Sequence, residues 1–173
     1  MGTASYIIFL LLLGLTIFNL FAMISAKKRK SRAAYDYNRV MKPLDDKLLK
    51  AMKERKIEFT AVQRFVNDLG EGIVVVRDLK KKVFGIATAE HLIIESYSAL
   101  EEVKGIYEKS GMKVPKAEVE ASIGDTVYTF VIASRPFFPK GLIGSILRES
   151  YNDFIDLLQS ICDEGRDQGD QSQ

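Results

Sequence analysis

The chain has 173 residues, with 25 Lys and Arg against 23 Asp and Glu, one His and one Cys. A single cysteine excludes an intramolecular disulfide framework, and Cys162 with His91 alone makes no Cys/His zinc set. The net charge of +2 is unevenly placed, basic between Lys27 and Lys56 and acidic from Asp163 onward, while the domain proper is mixed in sign and offers no basic face for a nucleic-acid partner.

From Met1 to Ala26 no side chain is charged. Residues 6–26 make about the ~20 apolar positions that a helix needs to cross hydrocarbon. Residues 1–5 carry no basic side chain, and the apolar run exceeds the roughly 7–15 residues of a cleaved signal peptide. Lys27, Lys28, Arg29, Lys30 and Arg32 follow directly. These features predict a retained signal-anchor and a single-pass protein of the cell (inner) membrane. The positive-inside rule puts residues 1–5 outside and everything after the span in the cytoplasm. The five basic residues are expected at the anionic membrane surface. Asn19 is the one strongly polar side chain in the span. It is a candidate for a contact between transmembrane helices, or an amide satisfied by its own backbone and the headgroups.

Residues 27–41 form a basic juxtamembrane collar in which Tyr35 and Tyr37 are interleaved. An amphipathic helix is predicted over 42–56. Pro43 suits its first turn, and Asp45 and Asp46 suit the positive end of its dipole. Leu44, Leu48 and Met52 recur four apart, with Leu49 and Ala51 beside them. This face has three possible partners: the following domain, the membrane interface or a second copy.

After Lys56 the period changes. The stretch 57–66 alternates, although its later half also suits a helix. Ile73-Val-Val-Val76 and 82–87 flank a basic turn and predict a hairpin. Residues 91–97 predict a third strand and 102–108 a fourth, with a helix as the competing reading around 100–112. Ala117–Ile123 and Thr126–Ile132 alternate strictly about Gly124-Asp125, the clearest hairpin of the chain. Pro136 and Pro139 end the sheet, and Phe137 and Phe138 are expected to plug the core. A last helix over about 141–163 carries a wide apolar stripe: Ile143, Ile146, Leu147, Tyr151, Phe154, Ile155, Leu158, Ile161 and Cys162. Residues 164–173 are polar and lack a period, so a disordered tail is expected.

The predicted fold class is α+β. It has an N-terminal transmembrane helix, then a bent antiparallel sheet or small barrel of about six or seven strands closed by a long C-terminal helix. Two stretches, Gly72-Ile-Val-Val-Val-Arg-Asp-Leu-Lys-Lys-Lys-Val-Phe-Gly-Ile-Ala87 and Glu95-Ser-Tyr-Ser-Ala-Leu-Glu-Glu-Val103, resemble the pleckstrin-homology-like (PH-like) domains of small bacterial proteins. The resemblance covers roughly 57–163. It implies a seven-stranded bent sheet with a C-terminal helical cap, used to bind lipids or peptides, and brings no catalytic residues.

Chemistry-bearing constellations are sparse. Glu90, His91 and Glu95 are close in sequence, but on a strand the last two stand about 13 Å apart. Glu118 and Glu120 alternate with apolar residues, as the wet face of a strand does. Cys162 lies on the apolar stripe of the last helix and reads as a small hydrophobe. No nucleophile elbow, P-loop or dinucleotide fingerprint occurs. No cofactor, metal or small-molecule substrate is therefore expected, and no enzymatic activity. Lys80, Lys81 and Lys82 form a basic hairpin tip, a candidate contact for anionic lipid or a partner against the plain reading of a solvated turn. The expected function is that of a membrane-anchored binding or adaptor protein. Its partners are the bilayer and a protein or a second copy; a structural subunit of a larger membrane complex is the alternative.

Overall fold

The computed structural model describes residues 37–170, with side chains placed to residue 167. The expected span over 6–26, Asn19 and the basic residues Lys27 to Arg32 lie outside the described residues. Among those described, no helix is long and apolar enough to cross a membrane.

One compact unit runs from Val40 onward. Helix α1 is described over 37–55. Strands β1 (Ala61–Val66), β2 (Gly72–Asp78), β3 (Val83–Ala87) and β4 (Leu92–Ser96) follow, then a short 3-10 turn at Tyr97–Ala99. Strands β5 (Leu100–Tyr107), β6 (Ala117–Ile123) and β7 (Thr126–Ala133) precede helix α2 (Leu142–Asp170). The strands make two antiparallel sheets in sequential order, β1 to β4 and β5 to β7. The α+β class thus holds, with two sheets in place of one closed barrel.

The inner faces of both sheets meet α2 in the main core. Ile73, Val75, Phe84 and Ile86 come from the first sheet, Val119, Ala121, Phe130 and Ile132 from the second, and Phe154, Leu158 and Ile161 from α2. Phe154 joins them through edge-on contacts with Phe65 (5.0 Å between ring centres) and Phe130 (5.4 Å).

The outer face of the first sheet is covered too. Met41, Leu44 and Leu48 of α1 bury Val74, Val76 and Ala87. The unbroken run Ile73-Val-Val-Val76 follows from this: β2 is buried on both faces and has no wet side to encode. Of the three possible partners of α1, the domain itself takes its apolar face. Lys47 Nζ ties the helix to the Ala89 carbonyl at 2.8 Å, Arg55 to the Ile94 carbonyl at 2.7 Å, and Arg64 of β1 to Asp45 at 3.1 Å. The helix already runs at residue 37, so Pro43 lies inside it rather than in a first turn.

Two further expectations change. The C-terminal segment continues as helix to Asp170 instead of becoming a tail at 164. Gly165 is buried where α2 crosses the Tyr97 carbonyl and the Ser98 amide, too close for a Cβ. Arg166 then donates to the Glu101 carbonyl at 2.7 Å. The apolar residues at the start of α2 also fall outside the core: Ile143 and Ile146 are 73% and 57% exposed, and so is Phe138 at 53%. Phe137 alone plugs the core end.

The two sheets are stitched at one corner. The Asp68 amide donates to the Ile132 carbonyl at 3.1 Å. The Asp68 carboxylate accepts from the Ser134 and Arg135 amides, both at 3.0 Å. Along β1, away from this corner, α2 stands in the gap between the sheets.

Candidate functional site

A groove of about 450 Å³ lies between β1 and α2. Gln63 and Phe65 line it from β1, Arg77 from β2, and Asp153, Asp156 and Ser160 from α2. The first sheet ends at β1, whose other side has no strand. The Asn67 backbone N–H donates to the Glu71 carbonyl across the β1–β2 turn at 3.0 Å. In an antiparallel ladder the residues in step with Asn67 face β2, so Val62 and Arg64 turn their N–H and C=O groups toward the open side. Residues 62–64 are all exposed.

The groove is polar and mixed in sign. Asp153 and Asp156 form no ion pair among the described residues, whereas Arg64 is held by Asp45 on the α1 side. Beneath Arg77 lies Tyr97, fully buried, with a hydroxyl that has no hydrogen-bond partner among the described residues. Burial pushes the Tyr97 phenol up, and the nearby Arg77 charge opposes that shift.

The basic hairpin tip is largely engaged within the fold. Asp78 builds the turn by accepting from the Lys80 amide at 2.9 Å and the Lys81 amide at 3.0 Å. Those amides hold its carboxyl below the usual range. Lys82 pairs with Glu164 and lies 5.5 Å over the Tyr97 ring. Lys81 donates to the Lys56 carbonyl at 2.8 Å. Only the Lys80 ammonium has no hydrogen-bond partner among the described residues. The tip also sits at the C-terminal ends of α1 and α2, far from Val40, where the chain enters this unit.

Comparison with protein families, curated proteins and solved structures finds no match to this chain.

The remaining candidates are separate from the groove. His91 is exposed on the β3–β4 turn, 3.8 Å from Glu90, with its ring edge-on to Tyr128 at 5.5 Å. Glu118 and Glu120 stand on the outer face of β6, where Lys116 pairs with Glu118 at 2.9 Å. Among the described residues no group of three or more His, Cys, Asp or Glu is placed to hold a metal ion. Cys162 is buried, and its thiol lies 3.4 Å from the Glu101 carbonyl. Burial raises its pKa, which opposes thiolate formation.

The alternation in residues 57–66 does not by itself mark β1 as an edge strand. The signal that was present is Gln63 and Arg64, polar residues adjacent in a strand too short to be wet on both faces unless it is an edge.

Proposed function

We propose that this is a membrane-anchored, non-enzymatic binding protein of the PH-like kind, whose cytoplasmic domain takes an extended segment of a protein partner along β1. The uncharged stretch over 6–26 and the basic residues from Lys27 to Arg32 support the anchor and its orientation. The order of seven strands in two sheets followed by one helix supports the PH-like reading. The observation that carries the function is the open side of β1 beside the groove. A partner strand there pairs with the backbone of Val62 and Arg64 and sets alternate side chains toward α2. Asp153 and Asp156 favour a basic side chain at that position.

The test is capture of the intact protein from its native membrane, with the wild type set against Asp153→Lys combined with Asp156→Lys. Both positions are exposed, so expression and helicity are expected to hold. A partner that is lost from the double variant and retained by Lys80→Glu supports the reading. Equal recovery from wild type and double variant sinks it.

A further inference from the structure

The exposed residues at the start of α2 form an apolar surface, unlike the polar groove further along the helix. Met112 is 83% exposed, Leu142 84% and Ile143 73%. The fold lays the segments that carry them side by side. Gly111 takes a positive φ of 63° in the turn Ser110–Lys113, which puts Met112 at its tip. A bridge between Val114 and Phe137 lays that turn beside the segment leading into α2. Lys113 Nζ sits 5.0 Å over the Phe138 ring. The Phe138 carbonyl accepts from the Gly141 amide at 3.0 Å and lies against Gly144, so the first turn of α2 abuts the same loop.

Charge around this patch is mostly basic. Lys109, Lys113 and Lys116 are the only charged residues from 109 to 117. From 126 to 149 they are Arg135, Lys140 and Arg148, with one acid, Glu149. One of the six basic residues, Lys116, is neutralised by Glu118. An apolar centre with a basic rim suits the boundary of an anionic bilayer, where acyl chains take the apolar side chains and headgroups take the charges.

The location agrees. Val40, Met41 and Leu44 lie over Gly72, at the end of the β1–β2 hairpin. Asp68 in that hairpin's turn holds Ser134 and Arg135, three residues before Phe138. The patch is therefore at the end of the unit where the chain enters, opposite to Lys80–Lys82.

We infer that Met112, Phe138, Leu142, Ile143 and Ile146, with their basic rim, dock on the anionic leaflet that carries the anchor. This rests on the anchored reading for the identity of the bilayer, but not on the β1 groove. Lipid contact through this face and partner binding through the groove fail independently.

The test uses the full chain with Cys162→Ser, so that a single fluorophore sensitive to polarity is attached at Ile143→Cys. It is reconstituted in vesicles of phosphatidylcholine with and without phosphatidylglycerol. Brominated lipid is expected to quench the label several-fold more in the anionic vesicles. The same label at Lys80→Cys is expected to stay in water in both. Charge reversal at Lys113, Lys140 and Arg148 is expected to return quenching to the neutral-vesicle level, with unchanged circular dichroism. A label at 143 that stays solvated in anionic vesicles overturns the inference. So does protection that depends on protein density and not on phosphatidylglycerol, since a second copy then covers the patch. If the cysteine-free chain does not fold, Met112→Trp in the natural background gives the same quenching readout.

Discussion

Helices α1 and α2 are both amphipathic, both run toward the β2–β3 turn, and both rest on glycine. Yet they do different work. α1 lies on the outside of a sheet that is already complete. A Cβ on Gly72 meets side-chain ends of α1, Leu44 Cδ1 at 3.0 Å among them; one on Gly85 meets Val76 Cγ2 at 2.9 Å and then Leu48 Cδ2 at 3.3 Å, side chains alone. α2 fills the space between two sheets. A Cβ on Gly165 meets the Tyr97 backbone at its carbonyl. The lesson is that α2 belongs to the core, whereas α1 is an added layer. Side-chain contacts yield to substitution, and backbone contacts do not.

The comparison breaks most directly by truncating one anchor from each helix. Phe154→Ala removes a fully buried ring shared by both sheets and is expected to cost about 3–5 kcal/mol. Denaturant unfolding is expected to stay a single transition at much lower midpoint. Leu48→Ala is expected to cost less, about 2–3 kcal/mol. Its mark is different: hydrogen exchange rises over α1 and at β2 while β6 and β7 keep their protection. Equal losses of protection in all strands for both variants remove the distinction between core and layer.

Glycine substitution sharpens the same point on a smaller scale. Gly165→Ala is expected to destabilise by about 1–3 kcal/mol, because the Tyr97 carbonyl cannot move aside without the 3-10 turn. Gly85→Ala, against side chains alone, is expected to fall at or below the lower end of that range. Thermal melting of the two variants side by side checks the order.

Alkali is the mildest probe. Tyr151 and Tyr97 both have phenols raised by burial above the ordinary 10.0. The folded state thus keeps its protons longer than the unfolded one. The stability these groups contribute is whole below pH 10 or so and is lost as pH rises through the raised values. Both rings touch α2 or the turn beneath it. Alkaline titration is therefore expected to expose Cys162 to alkylation before α1 leaves its sheet.

Much of the fold was legible. Strict alternation about Gly124-Asp125 placed β6 and β7 nearly to the residue, because one face of that sheet is wet. The run Ile73–Val76 read as a strand, but nothing in it said that α1 would cover its second face. Period and hydrophobicity mark a residue as apolar and leave open what covers it. That is why Phe138, Ile143 and Ile146 read as core and lie outside it. Gly165 read as the start of a loose tail because a glycine that permits close approach and one that breaks a helix look alike in sequence. The groove was illegible for a third reason: it depends on β1 being an edge and on where a helix some ninety residues later comes to rest.

The docking of α1 has a mechanical meaning as well. Any pull transmitted through residue 40 reaches α1 before it reaches either sheet. The contacts at Met41, Leu44 and Leu48, with the ties from Lys47 and Arg55, are met one after another along the helix. None of these contacts is itself a rung of a strand ladder. α1 is thus a buffer in series with the load, sparing the β-sheets and the helix between them from strain that enters by the N-terminal side.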